Sequence, residues 1–223
     1  MIPLRDKNPT RLVPYVNVTL IVMNVVVFIY EVSQGSRIDE FIRLYAVIPA
    51  NIVAGVSGPG LSLPPLRGLF TSLFIHAGWL HLGGNMLYLW VFGDNIEDKL
   101  GHFRYLLFYL LCGLVSSGLY IYVDPHSAVP TIGASGAISG VLGAYVLLFP
   151  KARVLTVIPI FIFLQFVELP ALLVLGLWFV LQLFSGLASL GYQTAESGGV
   201  AWWAHIGGFA AGLLLVYPMR KYH

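Results

Sequence analysis

Six mostly apolar stretches, most of them close to the ~20 residues that span the hydrocarbon core of a bilayer, take up most of this chain. They run from Pro14 to Ser33, Leu80 to Ile96, Phe103 to Val123, Ser135 to Phe149, Pro170 to Leu190 and Val200 to Tyr217. Composition points the same way. Charged residues make up 10% of the chain, against roughly 25% in soluble domains, and the mean hydropathy is +0.83. The fold class that follows is all-α, a six-transmembrane helical bundle. The fourth stretch is short, which an extension at its ends or a local thinning of the bilayer accommodates.

Orientation follows from Lys and Arg, because positive charge in short loops is retained on the cytoplasmic side. With the N-terminus inside, Arg5, Lys7, Arg11, Lys99, Arg104, Lys151, Arg153, Arg220 and Lys221 are cytoplasmic, and only Arg37, Arg43 and Arg67 are outside. The expected organisation is a cytoplasmic tail over 1–13, a membrane domain over 14–217 with a long outer loop at 34–79, and a cytoplasmic tail over 218–223. The first stretch lacks a small-residue cleavage site after it and reads as a retained signal anchor. The single cysteine, Cys112, leaves no intramolecular disulfide and no thiolate-rich metal site. The net charge of +2 follows the topology, so no nucleic-acid surface is expected.

The outer loop is far longer than a usual connection. Within it Ile38, Phe41, Ile42, Tyr45 and Ala46 fall near helical spacing with Asp39, Glu40 and Arg43 between them, which predicts an interfacial amphipathic helix. Pro59, Pro64 and Pro65 break any regular continuation. The apolar segment Val154 to Val167 reads either as a buried hairpin or as an extended start to the fifth helix.

Polar side chains inside apolar stretches carry the chemistry. Ser135 follows Gly133-Ala134 and precedes Gly136; His205 sits in Ala204-His205-Ile206-Gly207-Gly208; His81 and Asn85 lie four residues apart. In the orientation above these groups share one bilayer level near the outer side. At ~1.5 Å per residue, His205 is about 7 Å below the start of its helix. Gly136, Gly140 and Ala144 repeat every four residues on the fourth stretch and Gly208 and Gly212 do so on the sixth, so the two helices can approach closely. That face carries His205 toward Ser135.

A serine hydroxyl becomes a nucleophile when a base takes its proton, and a neutral imidazole can serve. Ser135 and His205 are therefore the candidate dyad. Asp124 and Glu196 lie in outer loops and no other carboxylate is placed to form a third member, which leaves packing or water to orient the imidazole. Acyl transfer also needs donors at the developing oxyanion. His81, Asn85 and the Ser135 backbone N–H, at the positive end of its helix, are suitable. A lone serine in a membrane helix usually bonds back to its own backbone, and an asparagine can join two helices. Four such groups at one level favour a site.

Those same residues resemble the rhomboid intramembrane serine proteases, and the resemblance covers nearly the whole chain. It implies a rhomboid-like bundle of the bacterial or archaeal six-span type in a prokaryotic plasma membrane, with both termini cytoplasmic and the site open to the outer side. It implies Ser135 as nucleophile, His205 as base, and His81 and Asn85 as oxyanion donors. His76 matches a structural histidine of the long loop, Glu97 an acidic position closing the second helix, and Gly133, Gly136 and Gly208 structural positions near the site. The fifth helix and the loop from Gly191 to Gly199 would form a lateral gate and cap. The implied partners are transmembrane protein substrates in the lipid bilayer, and no metal or organic cofactor is implied. Two departures stand out: Ser139 occupies a position where many bacterial relatives have an aromatic residue that stacks on the base, and Leu66-Arg67 stands near the place of a familiar Trp-Arg pair.

Other classes fit less well. The soluble-hydrolase elbow is incomplete at Ala137 and no strand precedes it; the His-Glu-x-x-His helix of zinc proteases is missing; paired intramembrane carboxylates are missing too. A proteolytically inactive rhomboid-like protein that binds transmembrane helices in a chaperone or trafficking role is the main alternative, its expected signature being loss of the Ser or the His. A transporter comes after it, without inverted repeats or a charged pathway across the midplane.

Overall fold

The computed structural model describes residues 1–57, 63–161, 163–189 and 202–221. In chain order its elements are β1 (Ile2–Asp6), α1 (Tyr15–Ser33), the loop helices α2 (Ile38–Tyr45), α3 (Pro49–Ser57), α4 (Leu63–Leu66) and α5 (Gly68–Thr71), then α6 (Trp79–Leu100), α7 (His102–Val123), α8 (Ser135–Leu148), β2 (Arg153–Ile160), β3 (Phe163–Pro170), α9 (Ala171–Ser189) and α10 (Trp202–Met219). Each expected apolar stretch carries one long helix. Among the described residues α1, α7 and α9 are long and apolar enough to cross a membrane, and α8 is a shorter apolar helix. The architecture is a helical membrane bundle.

The bundle is built around α8, whose residues 136–145 are all buried against α10, α7, α6 and α9. Glycine makes the contact with α10 possible. A Cβ on Gly208 would run into the Gly136 carbonyl oxygen, and one on Gly212 into the Gly140 carbonyl oxygen. In lipid, where burying apolar surface between helices gains little, such close backbone packing supplies van der Waals attraction instead. Cys112 of α7 fills the space over Gly140 and is fully buried, a packing role.

The end of the bundle away from the α8 N-terminus is tied by polar groups. A helix start leaves backbone N–H groups without partners. At α1 Glu97 of α6 takes two of them, accepting from the Val16 and Asn17 N–H groups at 3.0 and 2.7 Å, while Asp98 holds the segment before the helix, accepting from Arg11 and Leu12 at 3.0 and 2.9 Å. This explains why α6 continues past Ile96 to Leu100 despite its charged residues. Tyr105 of α7 donates to Asn17 Oδ1 at 2.8 Å, and Asn17 donates to the Leu89 carbonyl at 3.0 Å. His102, whose position between helices reads from sequence as a solvated loop, opens α7 and sits 2.5 Å from Glu97.

The segment after α8 forms a hairpin, though not a buried one, since β3 is largely exposed. Rich in Val, Ile, Phe and Thr, residues that favour strands, β2 and β3 pair antiparallel from Arg153↔Pro170 to Ile160↔Phe163. The first residues of the chain add β1 to the free side of β2. Asp6 fastens this sheet to the bundle, accepting from Tyr145 of α8 at 2.5 Å and from Asn95 of α6 at 2.9 Å. The long loop has the amphipathic helix at α2, and Arg67 holds it, donating to the Leu44 carbonyl at 2.8 Å and lying over the Tyr45 ring. That anchors the loop without the Trp-Arg pair.

Candidate active site

The nucleophile candidate sits at the first residue of α8 because of what precedes it. Gly133 has φ +122°, a backbone region that side chains disfavour, and its N–H donates to the Ser72 carbonyl at 2.9 Å. A Cβ on Gly133 would also lie 2.8 Å from the His81 ring and 3.6 Å from Ser135 Oγ. Glycine is therefore required twice over, for the turn and for the close approach of the His81 ring to this backbone. Ser135 then presents its hydroxyl at the positive end of its helix.

Across the glycine contact, α10 delivers His205. Its Nε2 is 2.8 Å from Ser135 Oγ. Its Nδ1 is 2.7 Å from Oε1 of Gln182 on α9, a buried side chain for which the sequence reading has no counterpart. The one available signal was an amide placed mid-way along a strongly apolar helix, where an unpartnered polar group is costly. The Trp178 ring, also from α9, lies beside the imidazole at 5.9 Å between centroids.

On the third side, α6 carries His81 and Asn85. The His81 Nδ1 accepts from the Ala77 N–H at 3.3 Å, which leaves Nε2 as the protonated, donating nitrogen, on the side facing Gly133 and Ser135. The Asn85 amide nitrogen is buried with no hydrogen-bond partner among the described residues. All four residues line one cavity of about 630 Å³, together with Gly133, Gly136, Ser139 and Trp178. A hydroxyl hydrogen-bonded to an imidazole, with donors grouped around it, is an arrangement suited to acyl transfer.

The remaining sequence-named groups fall into place around these. Ser139 is fully buried and donates to the Ser135 carbonyl at 2.6 Å, so its hydroxyl is spent inside the helix. His76 is buried in the segment before α6 and packs edge-on against His81 at 5.1 Å; its backbone N–H donates to Glu31 at 3.1 Å. Burial first, and the nearby His81 second, lower the His76 pKa to about 4. Gly136 and Gly208 belong to the α8–α10 contact. Gly191 to Gly199 lies outside the described residues.

Comparison with known proteins agrees with this architecture. The Rhomboid domain family model matches residues 65–222, which hold every residue of the cavity. The chain belongs to the rhomboid family. Its relatives include Rhomboid-like protein 11, chloroplastic, of Arabidopsis thaliana, 30% identical over 72% of this chain and 55% of that protein. Rhomboid protein 1, mitochondrial, of Saccharomyces cerevisiae is 31% identical over 67% of this chain and 41% of its own. Rhomboid protease GluP of Bacillus subtilis is 34% identical over 52% of this chain and 21% of its own. This rhomboid chain thus spans about half or less of the length of these relatives. Within the rhomboid bundle the departure at Ser139 has a structural counterpart, since the aromatic neighbours of His205 come from α9, as Trp178, and from α10, as Trp202, at 5.9 and 6.5 Å between centroids.

Proposed function

We propose that this rhomboid protein is an intramembrane serine endopeptidase that cleaves transmembrane segments of membrane proteins. The observation that carries the reading is the 2.8 Å contact between Ser135 Oγ and His205 Nε2 inside a bundle of membrane helices. His205 takes the hydroxyl proton as Ser135 attacks the scissile carbonyl. The tetrahedral oxyanion is met by the Ser135 N–H, His81 Nε2–H and the Asn85 amide. The intermediate collapses as His205 gives its proton to the leaving amine, and a water activated by the same imidazole hydrolyses the acyl-enzyme.

Substrate class follows from the backbone. A helical amide in lipid is already hydrogen-bonded, and opening it unassisted is expensive. Ser135 can therefore act on a single-pass segment only where small or helix-breaking residues weaken that helix near the site. Nine of the twelve Lys and Arg residues, counted over the expected loops, support an orientation with both termini cytoplasmic and the site toward the outer face of a plasma membrane.

Cleavage of a model single-pass substrate by the detergent-purified protein tests the proposal. Wild type should release a product of defined length, while Ser135→Ala and His205→Ala should be folded and silent. A folded wild type that binds transmembrane segments without cutting them would replace this reading with a non-proteolytic rhomboid-like role.

A further inference from the structure

We infer that Gln182 is a positioning residue for the base: its side-chain carbonyl selects the His205 tautomer in which Nε2 is free to take the Ser135 proton. The inference rests on the peptidase reading above. A neutral imidazole carries one N–H, and which nitrogen bears it is set by the bond the other nitrogen makes. A Gln amide can turn either its oxygen or its NH2 toward a ring nitrogen; with the oxygen 2.7 Å from Nδ1, the bond places the proton on Nδ1. Nε2 is then an acceptor, aimed at a hydroxyl 2.8 Å away. The opposite tautomer would need the amide turned so that its NH2 donates to Nδ1, and it would make Nε2 a donor that cannot take the serine proton.

The amide is held where this requires. On one side of Gln182 along α9, Phe179 stacks on Phe209 of α10 at 4.3 Å between centroids. On the other side, Gly186 brings the α9 backbone close enough to α10 that an added Cβ would lie 3.1 Å from Ile206. These two contacts bracket the Gln182–His205 pair and fix its register. No carboxylate lines the cavity among the described residues. A neutral acceptor here orients the ring without placing a full negative charge in the bundle, where an unpaired one is costly. The role corresponds to that of a third member that holds an imidazole in the right tautomer and orientation.

The test compares Gln182→Met, which keeps length and removes the acceptor, with Gln182→Glu, which keeps an acceptor at the same reach. Full-length protein in proteoliposomes is assayed with a model single-pass substrate for kcat and KM separately, alongside thermal unfolding. The expected result is a kcat loss of about 10- to 100-fold for Gln182→Met, the range of a hydrogen bond to a group that becomes charged. For Gln182→Met, KM and midpoint should be near wild type; Gln182→Glu should recover most of the rate even though its buried charge lowers the midpoint. Equal kcat for Gln182→Met and wild type, or equal losses in both variants that track lowered midpoints, would overturn the inference while leaving the peptidase reading intact. Failure of that reading itself shows differently, as a wild type that does not cut.

Discussion

The two ends of the bundle use buried polar groups in opposite ways. At the end where α6 finishes and α1 begins, polar side chains are tied to one another and to the backbone. Glu97 caps the start of α1, Asp98 holds the residues before it, Tyr105 and Asn17 join α7, α1 and α6, and Asp6 joins the sheet to α6 and α8. At the other end, the Asn85 amide nitrogen, both His76 ring nitrogens and one Glu31 oxygen are buried without hydrogen-bond partners among the described residues. Leaving such groups unpaired costs stability. The first end is joined by these bonds, whereas at the second the unpaired groups include the Asn85 amide, which lines the cavity.

That contrast can be broken from either side. The largest effect is expected from Ser135→Ala and His205→Ala, which should lower turnover by about five orders of magnitude or more. Unfolding midpoints in detergent should stay near wild type for Ser135→Ala and fall only modestly for His205→Ala, whose imidazole bonds α8 and α9. Next comes Glu97→Ala, which strips two N–H groups of α1 of their acceptor. It should cost about 3–5 kcal/mol of stability, read by thermal unfolding, with the molecules that remain folded still active. Asn85→Ala should do the reverse, lowering kcat by about 10²- to 10³-fold with little change in midpoint. If Asn85→Ala unfolds the protein and Glu97→Ala does not, the division between the two ends is wrong.

A smaller effect concerns pH. The folded pKa of His76 lies at about 4, below its ordinary value of 6.5, chiefly through burial. As pH falls below 6.5 the unfolded chain takes up a proton that the folded chain refuses until about pH 4. Stability contributed at neutral pH is therefore lost across that window, by about 3 kcal/mol in full. Unfolding measured between pH 7 and 4 should show this slope, and His76→Leu should make it shallower. The smallest effect is expected from Ser139→Ala. Its hydroxyl only bonds back to the Ser135 carbonyl, so activity and midpoint should stay close to wild type.

Much of this was legible in the sequence, for physical reasons. Apolar length marked the six long helices, and glycines repeating every four residues marked the faces on which α8 and α10 meet, so that Ser135 and His205 could be brought together before any coordinates. What escaped depends on partners distant in sequence. The bonds of Glu97 to the start of α1 and of Asp98 to the residues before it join positions 80 or more apart, and local pattern says nothing of them. The hairpin of β2 and β3 was one of two readings, because a short apolar run has no period that separates strand from helix. Gln182 was missed because its importance lies entirely in facing His205, and that register is set by Phe179 and Gly186 packing on α10.

The most direct test of the Ser135–His205 dyad is covalent labelling of the purified protein with a fluorophosphonate, which traps a serine only when a neighbouring base activates it, followed by mass-spectrometric mapping of the adduct. The account predicts a single adduct on Ser135 that disappears in Ser135→Ala and forms far more slowly, if at all, in His205→Ala. An adduct on Ser139, or labelling of Ser135 that is unchanged without His205, would contradict it.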